Sequence, residues 1–252
     1  MRAAWSAVLL LLDWSLAMSI MAENRYIFGG DKPWDEAGFT AVDDRVRGGS
    51  SVSHLTVNAD RTAATFSGTL DTKTLGGAGF ASQRTVDPFL VDLTGVCALI
   101  ADVVVPADNK TYTLTLKNEI LPTGPDGQEQ STVSWEYDFI ALGDGDKVGE
   151  RKQVQMPIDQ FKPTYRGRPV DAKLDLANIK RISFMMRSFF EKQEGDFSIT
   201  IKSLAASQSA QVESPARISE TISDDGDLKA QANQGRSAEK ELPIWRRWLC
   251  NW

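Results

Sequence analysis

From Phe39 to Ala206 the apolar residues recur at every second position, and this alternation limits what the chain can fold into. Tyr112, Leu114 and Leu116 fall on one side of the segment Thr111–Lys117, with Thr113, Thr115 and Lys117 on the other. Val133, Trp135, Tyr137 and Phe139 alternate with Ser134, Glu136 and Asp138. Ile182, Phe184 and Met186 alternate with Ser183, Met185 and Arg187, and Phe197, Ile199 and Ile201 with Ser198, Thr200 and Lys202. Ala64, Phe66 and Leu70 follow the same rule around Gly68. Successive side chains of an extended chain point to opposite faces, so each segment reads as a strand with one side on a core and one in water. The stretch Cys97–Val105 is apolar except for Asp102 and reads as a more central strand.

Turn-forming residues separate these segments: Leu75-Gly76-Gly77, Pro106-Ala107-Asp108-Asn109, Pro122 to Gly127, and Gly143-Asp144-Gly145-Asp146. No window carries helical periodicity beyond one short turn within Asp175–Lys180. About nine or ten strands without crossover helices predict an all-β fold, an antiparallel sandwich or jelly roll. Three regions are expected: an apolar extension or targeting segment over 1–23, the sandwich over 24–206, and a disordered tail over 207–252. Residues 207–244 hold no aromatic and too little apolar surface to offset the entropy of ordering. The end, IWRRWLCNW, reads as a docking helix, a membrane-surface anchor through Trp and Arg, or a segment without a role.

The run AAWSAVLLLL at residues 3–12 is too short to span a bilayer. It has the length of a signal-peptide core, yet only Arg2 precedes it, and Asp13 is foreign to a mitochondrial presequence. A signal peptide, an atypical presequence and a functionless extension all remain open. The sequon Asn109-Lys110-Thr111 bears on the question only for a secreted chain.

Composition removes several chemistries. Lys and Arg number 28 against 34 Asp and Glu, a net charge of −6, which argues against a nucleic-acid-binding surface. Two distant cysteines, Cys97 and Cys250, and a single histidine, His54, supply neither a disulfide framework nor a metal cluster. His54 has Ser50, Ser51 and Ser53 nearby, but adjacent strand residues face opposite ways and there is no G-x-S-x-G turn. Glu136 and Asp138 share a strand face, a spacing that any solvated strand produces. No enzyme, cofactor or metal site is expected.

Some polar residues have a pattern worth following. Asp43, Asp44, Arg45 and Arg47 set two charges of each sign before Gly48-Gly49, as an internal ion-pair network or as a polar rim for a partner. Tyr165, Arg166 and Arg168 lie in a loop bounded by Pro163 and Pro169, which either recognises a partner or packs across the sandwich end. Of the two arginines, Arg168 is expected to brace the fold and Arg166 to face a partner. Met185 and Phe190 fall outside the core alternation as candidate exposed apolar contacts. Trp135, aligned with Tyr137 and Phe139, reads as core.

Four stretches, Val42–Thr56, Phe66–Thr85, Phe161–Pro169 and Ile179–Ala205, together resemble the NADH:ubiquinone oxidoreductase complex I intermediate-associated proteins. DDRVRGGSS, Thr-Tyr-Arg-Gly-Arg and Phe-Met-Met-Arg-Ser carry the resemblance most specifically, and it runs from about Asp31 to Ala206. It implies a galactose-binding-like jelly roll. It also implies a non-catalytic, chaperone-like assembly factor that holds intermediates of respiratory complex I in mitochondria, with protein clients and no nucleic acid. The alternative function is a carbohydrate-binding module of the same architecture. The alternative locations are the cytosol, or outside the cell if residues 1–22 are a signal peptide.

Overall fold

The computed structural model describes residues 24–125, 127 and 129–208, so the apolar start and the Trp-rich end lie outside the described residues. Thirteen strands follow one another: β1 (Arg25–Gly29), β2 (Phe39–Ala41), β3 (Val52–Val57), β4 (Ala64–Leu70), β5 (Phe80–Thr85), β6 (Ala98–Val104) and β7 (Thr111–Lys117). Then come β8 (Ser134–Ile140), β9 (Arg151–Pro157), β10 (Lys162–Tyr165), β11 (Arg168–Pro169), β12 (Arg181–Arg187) and β13 (Gly195–Ser207). Their helical content is four single 3-10 turns, one of them at Leu176–Asn178, where the Asp175 carboxylate accepts from the Ala177 amide. The fold is an all-β, two-sheet sandwich of jelly-roll type.

The first sheet has the order β3-β4-β13-β6-β9 and the second β11-β10-β8-β7-β12-β5-β2, with every pair antiparallel. β13 is the spine of the first sheet. Its first half, Gly195–Ile201, pairs with β4, and its second half pairs with β1 through Arg25↔Ala206 and Tyr26↔Ala205. β6 lies along its other side, with an irregularity between Ile201 and Ser203. The apolar alternants of both sheets, among them Phe66, Leu99, Leu114, Leu116, Met156 and Met186, meet between the layers and are buried. Each such side chain contributes about 1.5–3 kcal/mol relative to exposure. β6 is buried nearly throughout, as its apolar run predicts; its one charge, Asp102, is paired with Arg151 of β9.

The strand count exceeds the sequence expectation because several extra strands are short or lie at sheet edges. β2, β10 and β11 have three, four and two residues, too few to display a period. β9 buries only Val154 and Met156, and Val133 falls just outside β8. Another feature escaped the alternation. Trp34, in the turn after β1, is 1% exposed and stacks among Phe28, Phe39 and Phe184 at 5.5, 6.0 and 6.4 Å. Its indole N–H donates to the Lys202 carbonyl at 3.0 Å.

Tyr112 points into the core, and its hydroxyl donates to Asp108 Oδ2 at 2.8 Å. Burial, and next the Asp108 charge, push its ionisation far above the ordinary value of 10.0. A raised folded-state value contributes stability that is complete below the unfolded value and is lost as pH climbs beyond it. Alkaline titration of wild type should therefore lower unfolding free energy above pH 10.0 by up to about 1.4 kcal/mol per pH unit from this group. Tyr112→Phe should flatten that slope in urea melts; an unchanged slope would place its origin elsewhere.

Candidate functional site

Three of the four stretches singled out in the sequence meet at one end of the sandwich. After β2 the chain enters the 3-10 turn Asp44–Arg47, and both aspartates point inward. Asp43 accepts from the Ser53 amide (3.1 Å), the Ser53 hydroxyl (2.6 Å) and the Ser82 amide (2.9 Å). Asp44 accepts from the Ser51 amide (3.0 Å), the Ser51 hydroxyl (2.6 Å) and the Phe80 amide (3.1 Å). Gly49 leaves room for this, since a Cβ there would lie 2.3 Å from Asp44 Oδ1. The carboxylates thus tie β3, of the first sheet, to β5, of the second. The ion-pair expectation is corrected: among the described residues neither aspartate forms an ion pair, and their partners are serines and backbone amides. Nor can they form a polar rim, because they are buried. Arg45 and Arg47 do face solvent, and the Arg47 guanidinium lies 5.6 Å from the Phe80 ring centre.

The segment after β12 closes the same end. Phe189, Phe190 and Glu191 have φ of 47°, 55° and 66°, three consecutive left-handed residues without a glycine. Such residues cost about 1–3 kcal/mol each and persist only where the surroundings hold them. Here the Ser188 amide and hydroxyl donate to the carbonyls of Gly79 and Gly77, and the Glu191 amide to Gly77. The Lys192 amide donates back to Ser188, completing one left-handed turn. Phe189 folds under Arg187, 4.5 Å from guanidinium to ring, while Phe190 is 82% exposed at the apex. Met185 is half-buried on the neighbouring sheet face, opposite Ser82.

The outward face of the second sheet runs from this end to the other. Register sets Arg84, Ser183, Thr115 and Glu136 side by side across β5, β12, β7 and β8. Arg187 grips Glu136 at 2.5 Å and Asp138 at 2.6 Å, and the hydroxyls of Thr164 and Thr113 donate to the same two carboxylates. Neither carboxylate is free for acid–base work. Further along, Arg181 is 4% exposed and pairs with Asp87 (2.7 Å) and Glu129 (2.8 Å); Arg84 joins both carboxylates. Lys117 lies beside this pair of arginines and donates to Thr132 Oγ1 at 3.1 Å. These groups surround a cavity of about 150 Å³ on the sheet face.

Tyr165, Arg166 and Arg168 stand at the opposite end from Phe190. They form a β-hairpin, β10–β11, at the edge of the second sheet, with Arg166 (φ 52°) and Gly167 (φ 75°) as its two-residue turn. Both arginines are exposed: Arg166 lies over the Tyr165 ring and donates to Ser131 Oγ at 3.2 Å, and Arg168 stands on β11. His54 is exposed on β3, lining an open groove with Phe39, Thr40 and Gln83, while Ser51 and Ser53 are committed to the aspartates. Among the described residues no group of three His, Cys, Asp or Glu side chains is placed to hold a metal.

Residues 28–201 match the family described as complex I intermediate-associated protein 30, CIA30. The chain belongs to the CIA30 family. A relative in Schizosaccharomyces pombe, an uncharacterized protein, is 42% identical over 186 residues, covering 71% of this chain and 82% of its own. Among solved structures, the family 11 carbohydrate-binding module of the Clostridium thermocellum cellulase Lic26A-Cel5E superposes with a TM-score of 0.46 at 12% identity, over 74% of this chain and 95% of the module. A family 28 module specific for non-crystalline cellulose gives 0.41 at 7% identity, over 73% and 97%. Within the CIA30 segment, the parts the sequence reading missed are Ser51, Ser53, Trp34 and the cationic group on the second sheet. The serines had a weak signal, an i, i+2 pair after a double aspartate. The cationic group had none, because its members lie far apart in the chain.

Proposed function

We propose that this protein is a non-catalytic assembly factor that binds intermediates of mitochondrial respiratory complex I, and that the client docks on the end of the sandwich bearing Phe190. The observation that carries the reading is CIA30 membership across residues 28–201. The choice of surface rests on the left-handed turn. A bulky aromatic held in a strained conformation and 82% exposed gives the fold nothing that a glycine would not give better. Interfaces, in contrast, draw much of their energy from a few aromatic and arginine anchors. Val46, 64% exposed, and Arg45 and Arg47 stand across the Gly77–Gly79 segment from Phe190 and complete the surface. Tyr165, Arg166 and Arg168, at the opposite end, form a second contact for an extended client.

Phe190→Gly separates docking from folding. Glycine accepts a positive φ without cost, so unfolding free energy should stay level or rise by about 1 kcal/mol. Recovery of complex I intermediates with the tagged full-length chain should fall roughly 30-fold, the equivalent of losing an anchor worth about 2 kcal/mol. Wild-type recovery at wild-type abundance would remove Phe190 from the interface.

A further inference from the structure

The cavity on the second sheet has a charge pattern that the ion pairs do not close. At its β5–β12 end three cations, Arg84, Arg181 and Lys117, stand with two carboxylates, Asp87 and Glu129, both engaged by the arginines. Glu136, also on the cavity wall, is held by Arg187 and Thr164. Lys117 is thus left with one neutral partner, the Thr132 hydroxyl, and among the described residues no carboxylate within ion-pair reach. Burial, and next the Arg181 charge, hold its ammonium below the ordinary lysine range. Charged groups taken out of water are normally paired, because desolvation is otherwise uncompensated. The surroundings are rich in further donors. The hydroxyl-bearing Ser134 and Ser183 line the same wall.

We infer that this cavity is a binding site for an oxyanion, a carboxylate or phosphate group, with Lys117 as its counter-charge and the hydroxyls of Ser134 and Ser183, on β8 and β12, as hydrogen-bond donors. A volume of about 150 Å³ admits such a group. The inference goes beyond the assembly-factor reading and stands apart from the Phe190 surface, so either can fail without the other. The ligand is either a free small anion or an acidic side chain of a bound polypeptide, and the same chemistry recognises both.

The test is a titration of the purified full-length chain, at constant ionic strength, with inorganic phosphate and separately with a Glu-rich peptide, followed through backbone amide resonances. The amides of Lys117, Ser134 and Ser183 should shift saturably, and Lys117→Met should weaken binding at least tenfold. Phosphate binding alone assigns a free anion, and peptide binding alone assigns a polypeptide carboxylate. Saturation by neither ligand overturns the site, and so does unchanged affinity in Lys117→Met. Should Lys117→Met fail to fold, Lys117→Gln carries the same expectation, with Lys162→Met on neighbouring β10 as the variant that leaves binding intact.

Discussion

Asp44→Ala is expected to lower the unfolding free energy by about 3–5 kcal/mol, a large share of the 5–15 kcal/mol typical of a domain. The carboxylate is fully buried and satisfies two amides and one hydroxyl, on β5 and on the segment leading into β3. Alanine strands the two amides, each at about 1–3 kcal/mol before relaxation, and leaves the Ser51 hydroxyl only the more distant Asp71 carbonyl at 3.4 Å. Urea melts should show a lower midpoint at an unchanged slope. The pairing with Ser51 makes a second, sharper expectation. Ser51→Ala in the Asp44→Ala background should cost less than it does in wild type, because its hydroxyl has already lost its 2.6 Å bond to Asp44 and keeps only its contacts with the Asp71 backbone. Additive losses, or a change below about 1 kcal/mol in Asp44→Ala, would show that the sheets are held together by their core alone.

Trp34→Ala should cost about as much, 3–5 kcal/mol, by another mechanism. The indole fills the space between Phe28, Phe39 and Phe184, so its removal leaves a cavity and frees the Lys202 carbonyl. Neighbouring backbone cannot close in, since β1 is fixed on β13 at this point through Gly29↔Ser203. Trp34→Phe retains most of the volume but loses the N–H donor and part of the bicycle, which should cost about 1–2 kcal/mol. Thermal unfolding of the three proteins gives the order wild type, Trp34→Phe, Trp34→Ala. An alanine variant as stable as the phenylalanine one would mean that the hydrogen bond, and not the ring volume, matters.

The alternation read from Tyr112, Trp135, Phe184 and Ile199 identified the core side of β7, β8, β12 and β13, because period two follows from the pleat and needs no tertiary knowledge. Trp34 was invisible to that test; it lies in a turn, where no period exists. The charges of Asp43 and Asp44 were visible, but their partners were not. Aspartate bonded to serine and to amide hydrogens looks, in sequence, the same as aspartate bonded to arginine, and only the placement of β3 beside β5 decides between them. The hairpin at Arg166-Gly167 shows a different limit. Its type of two-residue turn needs positive φ at both positions and favours Asn, Asp or Gly at the first, so arginine there conceals it. The cation cluster on the second sheet draws on Arg84, Lys117 and Arg181, which only strand register brings together.

The position of β13 in the chain constrains how the protein can be made. It is the last strand described; β1 has it as its one hydrogen-bonded neighbour among the described strands, and β4 and β6 each have it on one side. A polypeptide leaving the ribosome, at about 5–20 residues per second, exposes the others first. Until residue 207 has emerged, β1 has no strand to pair with, and β4 and β6 each present an open edge on the side β13 will occupy. The nascent chain therefore passes through a period in which two long, largely apolar strand edges are available to each other or to another chain, a state prone to mispairing. Closure of the first sheet therefore waits for β13. A protein proposed to attend the assembly of others has, by its own topology, a late and vulnerable closure.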